Sequence, residues 1–208
     1  MELAVAVAGF VAEAGAWWAV RAGRAHLWRL LPIVLVSMAI AAVLVRPPVA
    51  ASDVGAGNAL AVGAASGVVL YLATRVFVAI AARWAPFRRA TVDIYAEARP
   101  IAFGAAFLLS VALMVPAEEL FWRGLVQAGL DDLWGPAAAA VVTWLAYVAI
   151  NVPSRSLPIV LGAAVGGAVW AALAWWSGGM LASLVSHILW TGSMLVLPPA
   201  PGREVVGP

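Results

Sequence analysis

The sequence predicts an all-α fold, a polytopic transmembrane helical bundle of about seven spans forming one membrane-embedded domain over residues 1–208. Three observations carry this reading. The chain is 65% hydrophobic and 11% charged, with a mean hydropathy of +1.00, whereas soluble domains run at about 45–50% apolar and about 25% charged. Its apolar residues fall into seven stretches approaching the roughly 20 residues a span requires, at about 3–20, 30–45, 59–82, 101–130, 136–152, 157–176 and 178–197. Its twelve basic residues are all Arg and collect in short connecting segments.

Taken in order, the first stretch begins MELAVAVAGF, without the basic n-region or clear small-residue cleavage site of a signal peptide, and reads as a span. The loop RAGRAHLWR follows, carrying Arg21, Arg24 and Arg29. The second span is short and ends at the irregular PPVAASDVGAGN (47–58), which carries Asp53 and follows Arg46. After the third span, the segment from 83 to 100 reads as a loop holding Arg83, Arg88, Arg89 and Arg99. The fourth span is long because it includes the charged PAEELFWRG (116–124), and it stops at Asp131–Asp132. Arg155 lies between the fifth and sixth spans, an uncharged SGG between the sixth and seventh, and Arg203 in the tail. Arginine in the odd-numbered loops and the tail places these in the cytoplasm and the N-terminus outside.

Composition excludes several function classes. A net charge of +2 offers little attraction for phosphate, so no nucleic-acid partner is expected despite a sequence pI near 9.7. With no cysteine there are no disulfides, thiol nucleophiles or thiolate metal sites. Trp17, Trp18, Trp28, Trp84, Trp134, Trp175 and Trp176 lie near span ends and read as an interfacial belt. The glycines of LGAAVGGAV (161–169) read as helix-packing contacts, since no strand precedes them.

Ionisable groups in the middle of a bilayer cost about 2.5–3.5 kcal/mol each on insertion scales, so each calls for a reason. Glu13 and Arg75 are single charges on separate spans and read as buried or snorkelling groups, pairing with each other or with a lipid headgroup. Glu118, Glu119 and Arg123 form a denser set. Glu119 and Arg123 are i and i+4, one turn apart on one helix face, while Glu118 points about 100° away. One carboxylate can therefore be neutralised while the other stays free to act as a base. Counted from the outer span ends at 1.5 Å per residue, Glu118, Asn151 and His187 lie at roughly 18, 22 and 14 Å, a common layer reached from three helices. On the last span, Ser183, His187 and Thr191 recur at i+4 spacing, a polar stripe that faces protein or water.

The pattern E-E-x-x-x-R, then a polar helix end, then H-x-x-x-T resembles the CAAX-protease and bacteriocin-processing (CPBP, Abi) family of intramembrane glutamic-type endopeptidases. The likeness covers roughly 100–195, with AEELFWRG (117–124) its most specific element. It implies that Glu118 is the catalytic base, that Glu119 and Arg123 support the site, and that His187 and Thr191 hold the developing oxyanion. It also implies a prokaryotic-type inner-membrane enzyme, with no cofactor and no metal, acting on a membrane-associated peptide or lipoprotein. Two departures matter. Asn151, in YVAIN, stands where the family carries its first His and cannot accept a proton; Thr191 stands where Asn is usual and still offers a hydroxyl donor. An alternative reading is a catalytically impaired homologue that serves as a membrane scaffold or partner subunit. A third is a small transporter with Glu118, Glu119 and His187 as a proton path. Zinc is disfavoured, with only His26 and His187 and no H-E-x-x-H.

Overall fold

The computed structural model describes residues 1–97 and 101–202; Arg99 and Arg203, used above to orient the chain, lie outside them. The described chain is helical: α1 Glu2–Arg21, α2 Leu27–Val45, α3 Ala56–Ala81, α4 Ala85–Ala96, α5 Phe103–Trp134, α6 Pro136–Ser154, α7 Leu157–Ser177 and α8 Leu181–Val196. Six of these, α1 to α3 and α5 to α7, are long and apolar enough to cross a membrane. The last, α8, has 16 residues and a length of about 24 Å. It packs on α3, α5 and α7. The bundle is that of an integral membrane protein. Its outward faces are apolar, as Leu3, Val7 and Val11 show at i+4 spacing on α1, and its inward stripe on the same helix is Gly9, Glu13 and Ala16.

Two local expectations change. The second span is 19 residues rather than short. The segment after the third span is not simply a loop, because α4 occupies most of it. Pro86 opens this helix, where its missing N–H costs nothing. Phe87, Thr91 and Tyr95 form its single buried face. Phe87 meets Phe77 edge-on at 5.6 Å, and the Tyr95 hydroxyl donates to Met194 O at 3.0 Å. Arg88, Arg89 and Asp93 lie off that face. The arginine density made this stretch look like a connector; its i+4 apolar spacing marks an amphipathic helix.

Close packing, rather than hydrophobic burial, holds helices together in lipid. The tightest junction is α3 against α8. Ala59, Gly63 and Gly67 share one face of α3. A Cβ on Gly63 would lie 2.5 Å from Ala182 O, and one on Gly67 2.8 Å from Ser186 O. Those obstacles are backbone and cannot rotate away. Gly63→Ala is expected to lower stability by about 1–3 kcal/mol, read as a lower midpoint of thermal unfolding in detergent.

The α7–α8 connection is pinned by the segment after α2. Met180 N donates to Val49 O at 3.0 Å and Leu181 N to Ala50 O at 2.8 Å, which satisfies two donors at the start of α8. Gly178, at φ +64°, ends α7 in the left-handed conformation, and a side chain there would strike Ser52 and Asp53. On the same rim Arg46 joins Glu2 at 3.0 Å and Asp132 at 2.5 Å, tying the ends of α1, α2 and α5 together. Within α5, the chain widens into π turns at Leu109–Met114 and Leu120–Gln127. Pro116 lies between them. A proline ring clashes with the carbonyl four residues back and donates no hydrogen bond, and a π turn accommodates both defects. The α-helical turn between the two π segments is Val115–Glu119, the turn that carries both glutamates.

Candidate active site

The adjacent glutamates have opposite environments. Glu119 is fully buried, and α5 and α8 supply all its partners. Arg123 Nη1 lies 3.3 Å from Oε1, Ser183 Oγ lies 2.6 Å from Oε2, and His187 Nδ1 lies 2.9 Å from Oε1. Glu118 is only partly buried. Its hydrogen bond comes from the Tyr147 hydroxyl of α6, 2.7 Å from Oε2. The second glutamate is thus committed to structure, and the first keeps acceptor capacity.

Arg123 is buried among aromatic faces. Its guanidinium carbon lies 4.9 Å from the Tyr147 ring centre and 5.7 Å from that of Trp170, and Nη2 donates to Gly167 O of α7 at 3.4 Å. Trp170 in turn stacks on His187, with ring centres 3.5 Å apart and planes 18° from parallel. Gly167 has no side chain because Tyr147 occupies the space; a Cβ there would lie 2.8 Å from its ring. The LGAAVGGAV glycines therefore let α7 approach α6 closely enough for Tyr147 to reach Glu118.

This packing also fixes the histidine. A carboxylate only accepts, so the imidazole proton facing Glu119 sits on Nδ1. Nε2 has no hydrogen-bond partner among the described residues and is the ring atom left for chemistry. The sequence places Glu118 and His187 in one layer. In the structure the direct hydrogen bond of His187 goes to Glu119 rather than to Glu118. Asn151 is buried at the end of α6, and its Nδ2 donates back to Tyr147 O at 2.9 Å, which turns the amide toward its own helix. Thr191 lies one turn beyond His187, half-buried. Among the described residues no three His, Asp or Glu side chains converge in a way that would hold a metal ion.

Residues 100–193 match the family model described as Rce1-like, type II CAAX prenyl endopeptidase Rce1-like. Over this region the chain is similar to type II CAAX prenyl endopeptidases. The family is one of peptide hydrolases. The match covers a little under half of the chain and holds the Glu118–Glu119–Arg123 turn, Asn151 and His187. Neither a curated protein nor a solved structure gives a significant match.

Outside the expected set, the structure adds Tyr147, Trp170 and Glu13 to this cluster. Tyr147 was visible only as the aromatic one turn before Asn151, and nothing in the sequence marked Trp170 apart from other tryptophans. Glu13 did stand out as a charge in an apolar span. It does not pair with Arg75, whose Nη1 donates to the Tyr71 hydroxyl at 3.1 Å. Glu13 is instead 2% exposed and accepts the indole proton of Trp122 at 3.2 Å. Glu13 goes to the core, while Arg75 goes to the Tyr71 hydroxyl, which itself donates to Leu197 O just past α8.

Proposed function

We propose that the chain is an intramembrane endopeptidase of the CAAX-protease type, in which Glu118 activates water for attack on a peptide bond near the membrane. The observation that carries this is the asymmetry of the two glutamates. Glu119 is saturated by Arg123, Ser183 and His187, while Glu118 is partly accessible and holds a single donor, Tyr147. A general base must be oriented yet retain a lone pair for the proton it takes.

In this reading a water proton passes to Glu118 as the water oxygen bonds to the scissile carbonyl carbon. The developing oxyanion is met by Nε2–H of His187 and by the Thr191 hydroxyl. Preorganised donors of this kind, in a site shielded from water, are usually the largest contribution to such catalysis. Glu119 contributes by holding the imidazole at Nδ1 and thereby aiming Nε2. Collapse of the intermediate breaks the C–N bond, and the nitrogen takes a proton from the site. The substrate is a membrane-associated peptide or lipoprotein, and the chain spans the inner membrane of a prokaryote with its N-terminus outside and C-terminus in the cytoplasm.

One observation favours a second reading, an impaired homologue acting as a membrane scaffold or partner subunit. The buried Asn151 amide bonds its own helix, and the resemblance sets this residue where the family carries its first His. The variant Asn151→His separates the two. If the chain is a slow protease, purified wild type in proteoliposomes yields peptide fragments from a library of membrane-anchored peptides. Restoring an imidazole then raises the rate, by up to the 10²–10⁴-fold that acid–base help typically supplies. Cleavage by Asn151→His alone, with none by wild type, establishes the scaffold reading.

A further inference from the structure

Tyr147 is the residue through which the surrounding helices reach the base. It belongs to α6 and is buried, and its ring is enclosed by side chains of α5 and α7. Trp122 meets it edge-on with centres 5.6 Å apart, Trp170 does so at 6.4 Å, and the Arg123 guanidinium carbon lies 4.9 Å from the ring centre. On the α7 side the ring fills the space over Gly167, where a Cβ would come within 2.8 Å of it. A ring held on several sides fixes the direction of its hydroxyl. That hydroxyl donates to Oε2 of Glu118 at 2.7 Å, the ordinary length of a good O–H···O bond. Asn151, one turn further along α6, does the opposite: its Nδ2 donates to Tyr147 O at 2.9 Å, within its own helix. The group of α6 that reaches the base is therefore the phenol and not the amide.

A carboxylate acts as a base only when one of its oxygens is aimed at the proton it takes. A glutamate side chain turns about several torsions, the last of them broad, so an unheld Glu118 would spread its oxygens over many positions. The phenol removes that freedom through one oxygen. Oε2 is bound to Tyr147, while Oε1 makes no hydrogen bond among the described residues and keeps its lone pairs. The same frame holds the imidazole. Trp170, which meets the Tyr147 ring edge-on, stacks on His187 with centres 3.5 Å apart. One indole thus keeps the holder of the base and the imidazole in fixed register.

We infer that Tyr147 is the positioning residue of the base: its hydroxyl anchors Oε2 of Glu118, so that Oε1 is the atom that takes the proton from water. This rests on the reading of Glu118 as the base. An O–H bond of water breaks toward Oε1 as the water oxygen bonds to the carbonyl carbon. When the C–N bond breaks, the leaving nitrogen takes that proton from Oε1, and the carboxylate is restored against the same hydroxyl. Tyr147 keeps its own proton throughout and acts on the substrate only through Glu118.

The test is Tyr147→Phe, which removes the hydroxyl and leaves the ring against Trp122, Trp170 and Arg123, so the fold is retained. Infrared spectroscopy of the intact protein in lipid reads the contact without need of a substrate. The carboxyl bands that vanish in Glu118→Gln belong to Glu118, and Tyr147→Phe shifts them. Glu118 bands at their wild-type positions in Tyr147→Phe overturn the inference. In the peptide-cleavage assay Tyr147→Phe lowers kcat by about 10–100-fold with KM unchanged, the cost of misplacing a reacting atom by up to about 1 Å. A role confined to packing moves neither the bands nor kcat, because phenylalanine keeps the ring. A higher KM at wild-type kcat assigns the hydroxyl to substrate binding and overturns the inference. Cleavage that needs Glu118 but is indifferent to Tyr147→Phe also overturns it and leaves the protease reading intact. Cleavage indifferent to Glu118→Gln overturns the protease reading itself.

Discussion

Replacing Glu119 with alanine is expected to unfold much of the protein, at a cost of about 3–5 kcal/mol. The magnitude follows from what the substitution leaves behind. Arg123 is 3% exposed, and its Nε and Nη1 make no hydrogen bond. The guanidinium is compensated by Glu119, by Gly167 O at 3.4 Å and by the faces of Tyr147 and Trp170. Cation–π contacts contribute about 0.5–2 kcal/mol and do not replace a carboxylate. Removing Glu119 also frees Ser183 Oγ and His187 Nδ1, so both hydrogen bonds that lock α8 to α5 go together. The measurement is the monodisperse fraction in detergent against temperature. An Arg123→Met, Glu119→Leu double variant should recover much of the loss, because an apolar pair leaves no charge stranded.

Glu118→Gln has the opposite signature. It keeps the volume of the side chain and still accepts a hydrogen bond from Tyr147, so the unfolding midpoint stays close to wild type. What it loses is the basic lone pair. Peptide cleavage should fall by at least the 10²–10⁴-fold typical of a removed general base. The contrast between neighbouring glutamates, one needed for folding and one for chemistry, is the clearest experimental mark of the site. Equal effects of the two substitutions on both readouts would mean that the environments of Glu118 and Glu119 are not functionally distinct.

Much of this was legible in the sequence. A charge-poor chain in which polar residues are costly gives each polar residue unusual weight, so E-E-x-x-x-R and the Ser183–His187–Thr191 stripe read as inward-facing from sequence alone. The i+4 rule placed Arg123 beside Glu119, and the ion pair is 3.3 Å long. What a sequence does not give is the pairing between helices. Depth along a span puts His187 and Glu118 at one level but does not say which carboxylate the ring faces; that depends on helix rotation, set here by the Gly63 and Gly67 contact with α8 and by the π turns around Glu119. Those turns shift the helical phase, so projections at 100° per residue lose their register along α5. Glu13 illustrates the same limit. Its charge was conspicuous, but its partner is 109 residues away on another helix.

The central claim is that Glu118 performs peptide hydrolysis within the membrane. Its most direct test is mass spectrometry of fragments released from membrane-anchored peptides in proteoliposomes containing wild type, Glu118→Gln or Asn151→His. The account predicts a discrete cut with wild type, the same cut made faster by Asn151→His, and loss of that cut with Glu118→Gln. Identical fragments from wild type and Glu118→Gln would contradict it.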